Sequence, residues 1–300
     1  MITLAATPIG NDLDASPRFR RAIEEADVIA AEDTRRFLNL AGRLGINLHA
    51  KVIAFHDHNE ADKSAALIET ARDGREVVVV SDAGMPVISD PGFRLVRLAA
   101  QAGYEVNVIP GPSAVLTALA LSGIAAQRFT FEGFAPRKAA DRAREFASLA
   151  REPRTMIYFE SPRRLGKTLA AMRDAFGGDR QGAVCRELTK IHQEVRRGTL
   201  AELAQWAEGE ILGEIVIVVS GRNASTSSPS LAANSGVAAR SPHAVENDCE
   251  NLAENISPEL VTEVGELVQL GVRAKAAAGH IAKREGLRPN ELFAAYLAAK

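Results

Sequence analysis

Three loops gather acidic and imidazole side chains that could take up or release a proton. Glu32-Asp33-Thr34-Arg35 follows one apolar run, His56-Asp57-His58-Asn59-Glu60 follows another, and residues 81–92, SDAGMPVISDPG, follow the run Val77–Val80. Carboxylates and imidazoles act as general bases when their surroundings tune their pKa. Glu32, Asp33, His58 and Glu60 are therefore candidates for a base or a substrate-positioning group. A plainer role for Glu32 and Asp33 is to cap a helix opening at residue 34 and to pair with Arg35 and Arg36. His56 and His58 share one face of an extended segment, which raises a metal site. The spacing is not HExxH and no Cys cluster completes a tetrahedral set, so no metal is expected.

Two further loops are rich in Gly and Pro: Thr7-Pro8-Ile9-Gly10-Asn11 and Pro110-Gly111-Pro112-Ser113-Ala114. Neither is a GxGxxG fingerprint or a GK[ST] phosphate loop. The group suits a nucleoside-like ligand without a polyphosphate, and S-adenosylmethionine fits that description. Backbone amides at Ser113-Ala114, opening a helix, could take a carboxylate or a ring nitrogen. Asp82 could face a cation or a ribose hydroxyl.

These loops need a scaffold that gathers them. Strands are expected at Ile2–Ala6, Val28–Ala31, Lys51–Phe55, Val77–Val80 and Glu105–Ile109, with amphipathic helices near 34–43, 60–73, 92–102 and 113–121 between them. Ser16-Pro17 reads as an N-cap and first helical residue for another helix, through Phe19, Ala22, Ile23 and Ala26. Five strand–loop–helix units imply a parallel α/β sheet. Ligands of such sheets sit beyond the carboxyl ends of the strands, where these polar loops cluster.

The fold class read from the chain is α/β: a parallel-sheet domain over 1–122, then an α+β domain with a mixed sheet over 123–222. Strands are expected there at Phe129–Phe134, Thr155–Glu160, Gly182–Arg186, His192–Arg197 and Glu214–Ser220, with two helices near 138–150 and 163–176. Residues 1–136 carry 13 Lys+Arg against 17 Asp+Glu, whereas 137–197 carry 15 against 8. That local surplus points to a polyanionic partner, and basic residues beside Phe134, Tyr158 and Phe159 suit phosphate contact with base stacking.

Residues 223–257 lack apolar periodicity and read as a linker. A small helical module follows over 258–300, with helices near 258–270, 273–285 and 289–299 and stops at Gly271 and Gly286. Its last helix offers only Asn290 and Glu291 as polar groups, so it is not expected to read DNA. Cys185 and Cys249 are far apart, which fits free thiols in a reducing compartment. The start lacks a basic n-region and a long apolar core, and no run reaches the ~18 apolar residues of a membrane helix. A cytoplasmic protein is expected.

Taken in order, TPIGN, AEDTR, HDHNE, SDAGMPVISDPG, PGPSA, FEGFAPRK, YFESPRR and RELTK resemble the tetrapyrrole methylase superfamily, in its ribosomal-RNA-methylating branch, over about residues 1–222. The terminal module is similar to the helical domain found at the end of that branch. The resemblance implies a homodimeric S-adenosylmethionine-dependent methyltransferase with its cofactor in the cleft between two domains. It implies methyl transfer to the ribose 2′-oxygen of a cytidine in the decoding region of 16S rRNA.

Carried over by motif, the cofactor would contact Thr7, Pro8, Gly10, Ser81, Asp82, Ala83, Gly84, Pro86, Ser113 and Ala114. Asp82 and Asp90 are read as serving cofactor positioning and loop structure rather than catalysis. RNA contact is expected from Arg137, Lys138, Arg142, Arg163, Arg164, Arg186 and Lys190. Arg163 stands where the family usually has His, and Gln193 where it usually has Glu. Two other readings share parts of the pattern: a tetrapyrrole carbon methylase on the same scaffold, and a nucleic-acid-binding regulator using the terminal module.

Overall fold

The computed structural model describes residues 1–222, 257–269, 272–285 and 289–298. Residues 223–256, most of the expected linker with Cys249, lie outside the described residues, as do Gly271, Gly286 and the side chains of Asn290 and Glu291. The chain divides into two compact units, Met1–Ala239 and Arg240–Lys300.

In the first unit, β1 (Ile2–Ala5), β2 (Val28–Ala31), β3 (Lys51–Ala54), β4 (Val77–Val80) and β5 (Val106–Ile109) pair only in parallel, in the order β3-β2-β4-β1-β5. All five carboxyl ends therefore lie along one edge, with β4 central. Val78 and Val80 pack with Phe19, Ile23, Phe37 and Leu40 of helices α1 (Pro17–Glu25) and α2 (Thr34–Arg43). Val77 and Val79 pack on the opposite face with Leu67, Ile68, Leu95 and Ala99 of α3 (Glu60–Arg72) and α4 (Phe93–Gln101). Four β-branched residues in a row suit a strand covered on both sides, each contributing roughly 1.5–3 kcal/mol on burial. Helix α1 starts where Ser16 Oγ accepts from the Phe19 amide at 3.0 Å and Pro17 takes the first helical position.

Helix α5 (Ala114–Ser122) follows β5 in sequence but packs elsewhere. Its Val115, Ala118 and Leu119 meet Ile157, Ala183, Cys185, Val216 and Val218, so by packing it belongs to the second sheet and links the two layers. That sheet contains β6 (Phe129–Phe134), β7 (Thr155–Glu160), β8 (Gln181–Arg186), β9 (Glu194–Thr199) and β10 (Ile215–Val219), in the order β6-β7-β10-β8-β9. The pair β6–β7 is parallel and the others are antiparallel. Its far face is covered by α6 (Ala139–Leu149), α7 (Leu165–Phe176) and α8 (Leu200–Trp206), around Phe146, Tyr158, Leu165, Leu169 and Met172.

Two local expectations change here. Strand β9 begins at Glu194 rather than His192. Helix α8 was not expected, because seven residues carry too little periodicity. Its start is nonetheless written in Thr199-x-x-Glu202, a capping box in which Thr199 Oγ1 accepts from the Glu202 amide and the Glu202 carboxylate accepts from the Thr199 amide.

The second unit contains α9 (Pro258–Gln269), α10 (Ala274–Glu285) and α11 (Pro289–Ala298) around Val264, Ala277, Ala278, Ile281 and Leu292. Arg284 grips Glu263 through two nitrogens at 2.7 Å each. Among the described residues no helix is long and apolar enough to cross a membrane. Cys185 is buried in β8, and that burial pushes its thiol up to about 12.

Candidate active site

A cavity of about 460 Å³ lies where the carboxyl edge of the first sheet meets the second, inside the range of about 300–1,000 Å³ usual for small-molecule sites. Ile9, Glu32, the 82–90 loop and Ser113–Val115 enter it from the ends of β1, β2, β4 and β5. Phe134, Phe159–Pro162 and Leu188 enter from the ends of β6, β7 and β8, and Gly213–Val216 from the start of β10. Because β10 runs antiparallel to both β7 and β8, these segments share one edge of the second sheet.

The loops after β1 and β4 are clipped together. The Thr7 amide donates to Gly84 O at 2.9 Å and the Gly84 amide donates back to Thr7 O at 3.1 Å. Gly84 adopts φ +83° there, a conformation glycine takes without steric cost. Gly10 allows a second close approach, since a Cβ on it would lie 2.4 Å from Lys190 Cγ and 2.9 Å from Leu188 O. The first-sheet loop thus rests directly on residues 188–190 of the other layer.

Five carboxylates line the cavity, Glu160 and Glu214 from the second sheet and Glu32, Asp82 and Asp90 from the first, and the three of the first sheet have different surroundings. Asp82 is braced: Oδ1 accepts from the Asp33 amide at 3.0 Å and Oδ2 from Arg36 Nη1 at 3.0 Å. Glu32 accepts from the Asp82 amide at 3.2 Å, and its pKa is raised, chiefly by burial, with the charges of Asp82 and Asp57 adding. Asp90 is pushed up to about 7, first by burial and then by the Glu32 charge, against the opposing effect of the Ser81 hydroxyl. Val87 and Ser89, in the same loop, adopt φ +79° and +66°, costly for side chains with a Cβ, at about 1–3 kcal/mol each. A half-buried carboxyl titrating near neutrality, on a strained loop facing a cavity, has the properties of a general base.

Of the residues expected at the cofactor, Asp82, Ala83, Gly84, Ser113 and Ala114 line the cavity. Thr7, Pro8, Gly10, Ser81 and Pro86 do not line it. Thr7 and Ser81 hold the loops, with Ser81 Oγ donating to Gly84 O at 3.1 Å, and Gly10 serves the contact with residues 188–190. The lining suits the expected cofactor: carboxylates for a positively charged sulfonium, apolar walls at Ile9, Val115 and Phe159 for an aromatic ring, and no phosphate cradle.

Of the four base candidates, Glu32 alone lines the cavity. Asp33 caps α2, accepting from the Arg35 and Arg36 amides, and Arg35 holds its carboxyl low. His58 is exposed, edge-on to His56 at 5.9 Å. Glu60 is buried and accepts from three amides of the α4 start. Asp90, read from the sequence as serving cofactor positioning and loop structure, lines the cavity together with Glu32. Among the described residues no His, Cys, Asp and Glu group could hold a metal ion.

Residues 1–204 match the family model described as Tetrapyrrole (Corrin/Porphyrin) Methylases. The chain belongs to the tetrapyrrole methylase family. It is 45% identical over 300 residues to a Mycobacterium tuberculosis protein named Ribosomal RNA small subunit methyltransferase I, covering 100% of this chain and 95% of that one. A Pseudomonas aeruginosa protein of the same name is 42% identical over 233 residues, covering 77% of this chain and 82% of its own. The same fold occurs in uroporphyrin-III-C-methyltransferase from Thermus thermophilus, with a TM-score of 0.52 at 19% identity over 74% of this chain and 94% of that one. Diphthine synthase shares it too, with a TM-score of 0.56 at 17% identity over 73% and 89%.

The basic residues of this family member divide sharply. Arg142 is buried on α6 and donates to Pro136 O at 3.1 Å. Arg164 pairs with buried Glu160 at 3.1 Å, Arg186 with Glu194 at 3.0 Å, and Lys190 with Glu187 and Glu214 at 2.8 and 3.1 Å. Each of these four expected RNA contacts thus already has a protein partner, and Arg142 alone of them is buried. Arg137, Lys138 and Arg163 are exposed and form no ion pair among the described residues. Gln193 Oε1 accepts from the Thr189 amide at 2.7 Å, so at this position the amide braces the 187–190 loop.

Proposed function

We propose that the protein methylates the ribose 2′-oxygen of a cytidine in the decoding region of 16S rRNA, with S-adenosylmethionine as methyl donor. The observation that carries this reading is the end-to-end 45% identity to a protein named for small-subunit rRNA methylation, whereas the tetrapyrrole methylase fold likeness covers 74% of the chain. The cavity supports it with a carboxyl poised near neutrality beside Glu32.

A ribose hydroxyl is a weak nucleophile, and positioning with proton removal supplies much of what its reaction needs. Bound S-adenosylmethionine would supply an electrophilic methyl group, held by the Asp82–Gly84 loop and Ser113–Ala114. The Asp90 carboxylate would accept the 2′-hydroxyl proton, freeing the oxygen to take the methyl group as the carbon–sulfur bond of the donor breaks and a neutral thioether leaves. Glu32 keeps Asp90 basic by its charge, and Arg36 with the Asp33 amide fixes Asp82 beside them. Phe159 and Ile9 exclude water from the apolar side.

The partners in this reading are the small ribosomal subunit and a second copy of the chain, and the compartment is the cytoplasm. The dimer would show as twice the 32.1 kDa chain mass in sedimentation equilibrium. The deciding experiment incubates labelled S-adenosylmethionine with 30S subunits, naked 16S rRNA and a precorrin-type tetrapyrrole. An alkali-resistant bond at one cytidine supports the reading; label entering only the tetrapyrrole overturns it.

A further inference from the structure

The reaction chemistry leaves a second concavity without a role. A groove of about 640 Å³ is lined by Pro162 and Arg163 just before α7, by Lys167 and Arg173 on α7, and by Glu208 and Glu210 from the segment before β10. Pro162 borders both this groove and the cavity, and groove residue Leu212 precedes cavity residue Gly213. One therefore begins where the other ends. Arg173 is paired with Asp174 at 2.9 Å. Arg163 and Lys167 are exposed and form no ion pair among the described residues.

Phe134, another member of the cavity lining, is 59% exposed. Its ring packs edge-on against Phe159 with centroids 5.6 Å apart, and Phe159 packs in the same way on Phe131 at 4.8 Å. A large aromatic side chain anchored on one side and left in solvent on the other offers a flat apolar surface of fixed orientation. Cations that follow a groove, combined with an exposed ring, form the usual receptor for a single nucleic-acid strand: phosphates position it and a base stacks.

We propose that this groove is the path of the RNA strand flanking the acceptor nucleotide, with Phe134 stacking a base at the cavity and Arg163 and Lys167 holding phosphates beyond Pro162. The proposal rests on the reading of the cavity as an rRNA methylation site. It adds Lys167 to the cations expected at RNA, gives Phe134 a definite place at the cavity mouth, and does not call on Arg142, Arg164, Arg186 or Lys190. Glu208 and Glu210 line the same groove and weaken the strand's hold, so binding depends on two particular cations rather than on a uniformly positive channel.

The test measures binding of fluorescein-labelled single-stranded RNA carrying the 16S decoding-region sequence to the full chain, by anisotropy over a series of KCl concentrations. Affinity for sinefungin, measured by calorimetry, serves as the control. In R163A/K167A the slope of log K against log[KCl] should flatten by about 1.4, or about 0.7 per lost phosphate contact. Phe134→Leu keeps an apolar contact for Phe159 and should bind RNA about tenfold more weakly at an unchanged slope, while Phe134→Tyr matches the wild type. E208Q/E210Q should bind more tightly.

An unchanged slope in R163A/K167A, or wild-type RNA binding in Phe134→Leu, overturns the proposal. So does loss of sinefungin affinity in Phe134→Leu, which would reassign the ring to the cofactor. Failure of the wild type to methylate 30S subunits is a different result, and rejects the functional reading instead.

Discussion

Glu60, the first residue of α3 after β3, and Asp90, in the loop after β4, are treated in opposite ways. One oxygen of Glu60 takes three peptide N–H groups, from Gly92 at 3.0 Å, Arg94 at 2.7 Å and Leu95 at 3.4 Å. These are the free amides at the start of α4, where the helix dipole also favours a negative charge. Asp90, three residues before Phe93, has no such set of amides, and it faces the charges of Glu32, Asp82 and Asp57. A carboxylate satisfied by backbone holds structure together. One buried among like charges stays reactive, at a cost to the fold. That difference, rather than acidity or place in the sequence, is what singles out Asp90 as the proposed base.

The largest effect should come from removing the reactive member. Asp90→Asn should lower the single-turnover methylation rate by about 10²–10⁴-fold while sinefungin affinity stays within a few-fold. The same variant should be more stable. A folded-state pKa of about 7 against 3.8 in the unfolded chain means the fold loses stability as pH rises from about 4 to about 7, and loses no more above that. Asn removes this loss. The full shift corresponds to about 4 kcal/mol; partial solvent exposure reduces this to about 1–2 kcal/mol at pH 8 and to nothing below pH 4. Denaturant midpoints at pH 4 and pH 8 check the sign. An Asp90→Asn protein of full activity would end its assignment as base.

A pH profile sharpens the same contrast. The wild-type single-turnover rate should rise with pH through about 7, as Asp90 loses its proton. Glu32→Gln removes a charge that holds that pKa up, so the midpoint should move to lower pH, with a rate loss of roughly tenfold at most. A midpoint that stays in place would show that Glu32 does not act on the base.

Glu60→Ala tests the satisfied member. It leaves three amides at the α4 start without an acceptor in a buried setting, for a loss of about 2–3 kcal/mol. The rate well below the melting temperature should change less than tenfold. A large rate loss with little change in melting would reverse the roles of the two carboxylates.

How far the chain disclosed this contrast depends on the range of the interactions involved. The five parallel strands, the caps at Ser16 and Asp33, and the gathering of loops at one edge are local properties, and they were legible. Glu60 was not, because its partners begin 32 residues later and meet it only once α3 and α4 pack side by side. Nor was Asp90, because its desolvation requires a cavity whose other wall comes from the second sheet. Arg142 is a different case. It lies four residues before Phe146, which is fully buried on α6, so helical periodicity alone places both on the inward face. The basic surplus drew attention to its charge, and its register was the better guide.

Asp33 should give the smallest effect, and the one that isolates position from chemistry. It neighbours Glu32 in sequence and is also a carboxylate, yet its side chain caps α2 at 2.8 Å from the Arg35 amide and 3.3 Å from the Arg36 amide. Asp33→Ala should cost about 1 kcal/mol of stability, as for other N-caps, and Asp33→Ser should restore most of it. Neither should change the rate by more than about twofold, because the Asp33 contact to Asp82 is made by its backbone amide, which both variants keep. A rate loss in Asp33→Ala that Asp33→Ser fails to rescue would move this carboxylate into the chemistry; rescue by a neutral hydroxyl leaves the cavity pair, Glu32 and Asp90, as the groups that handle the proton.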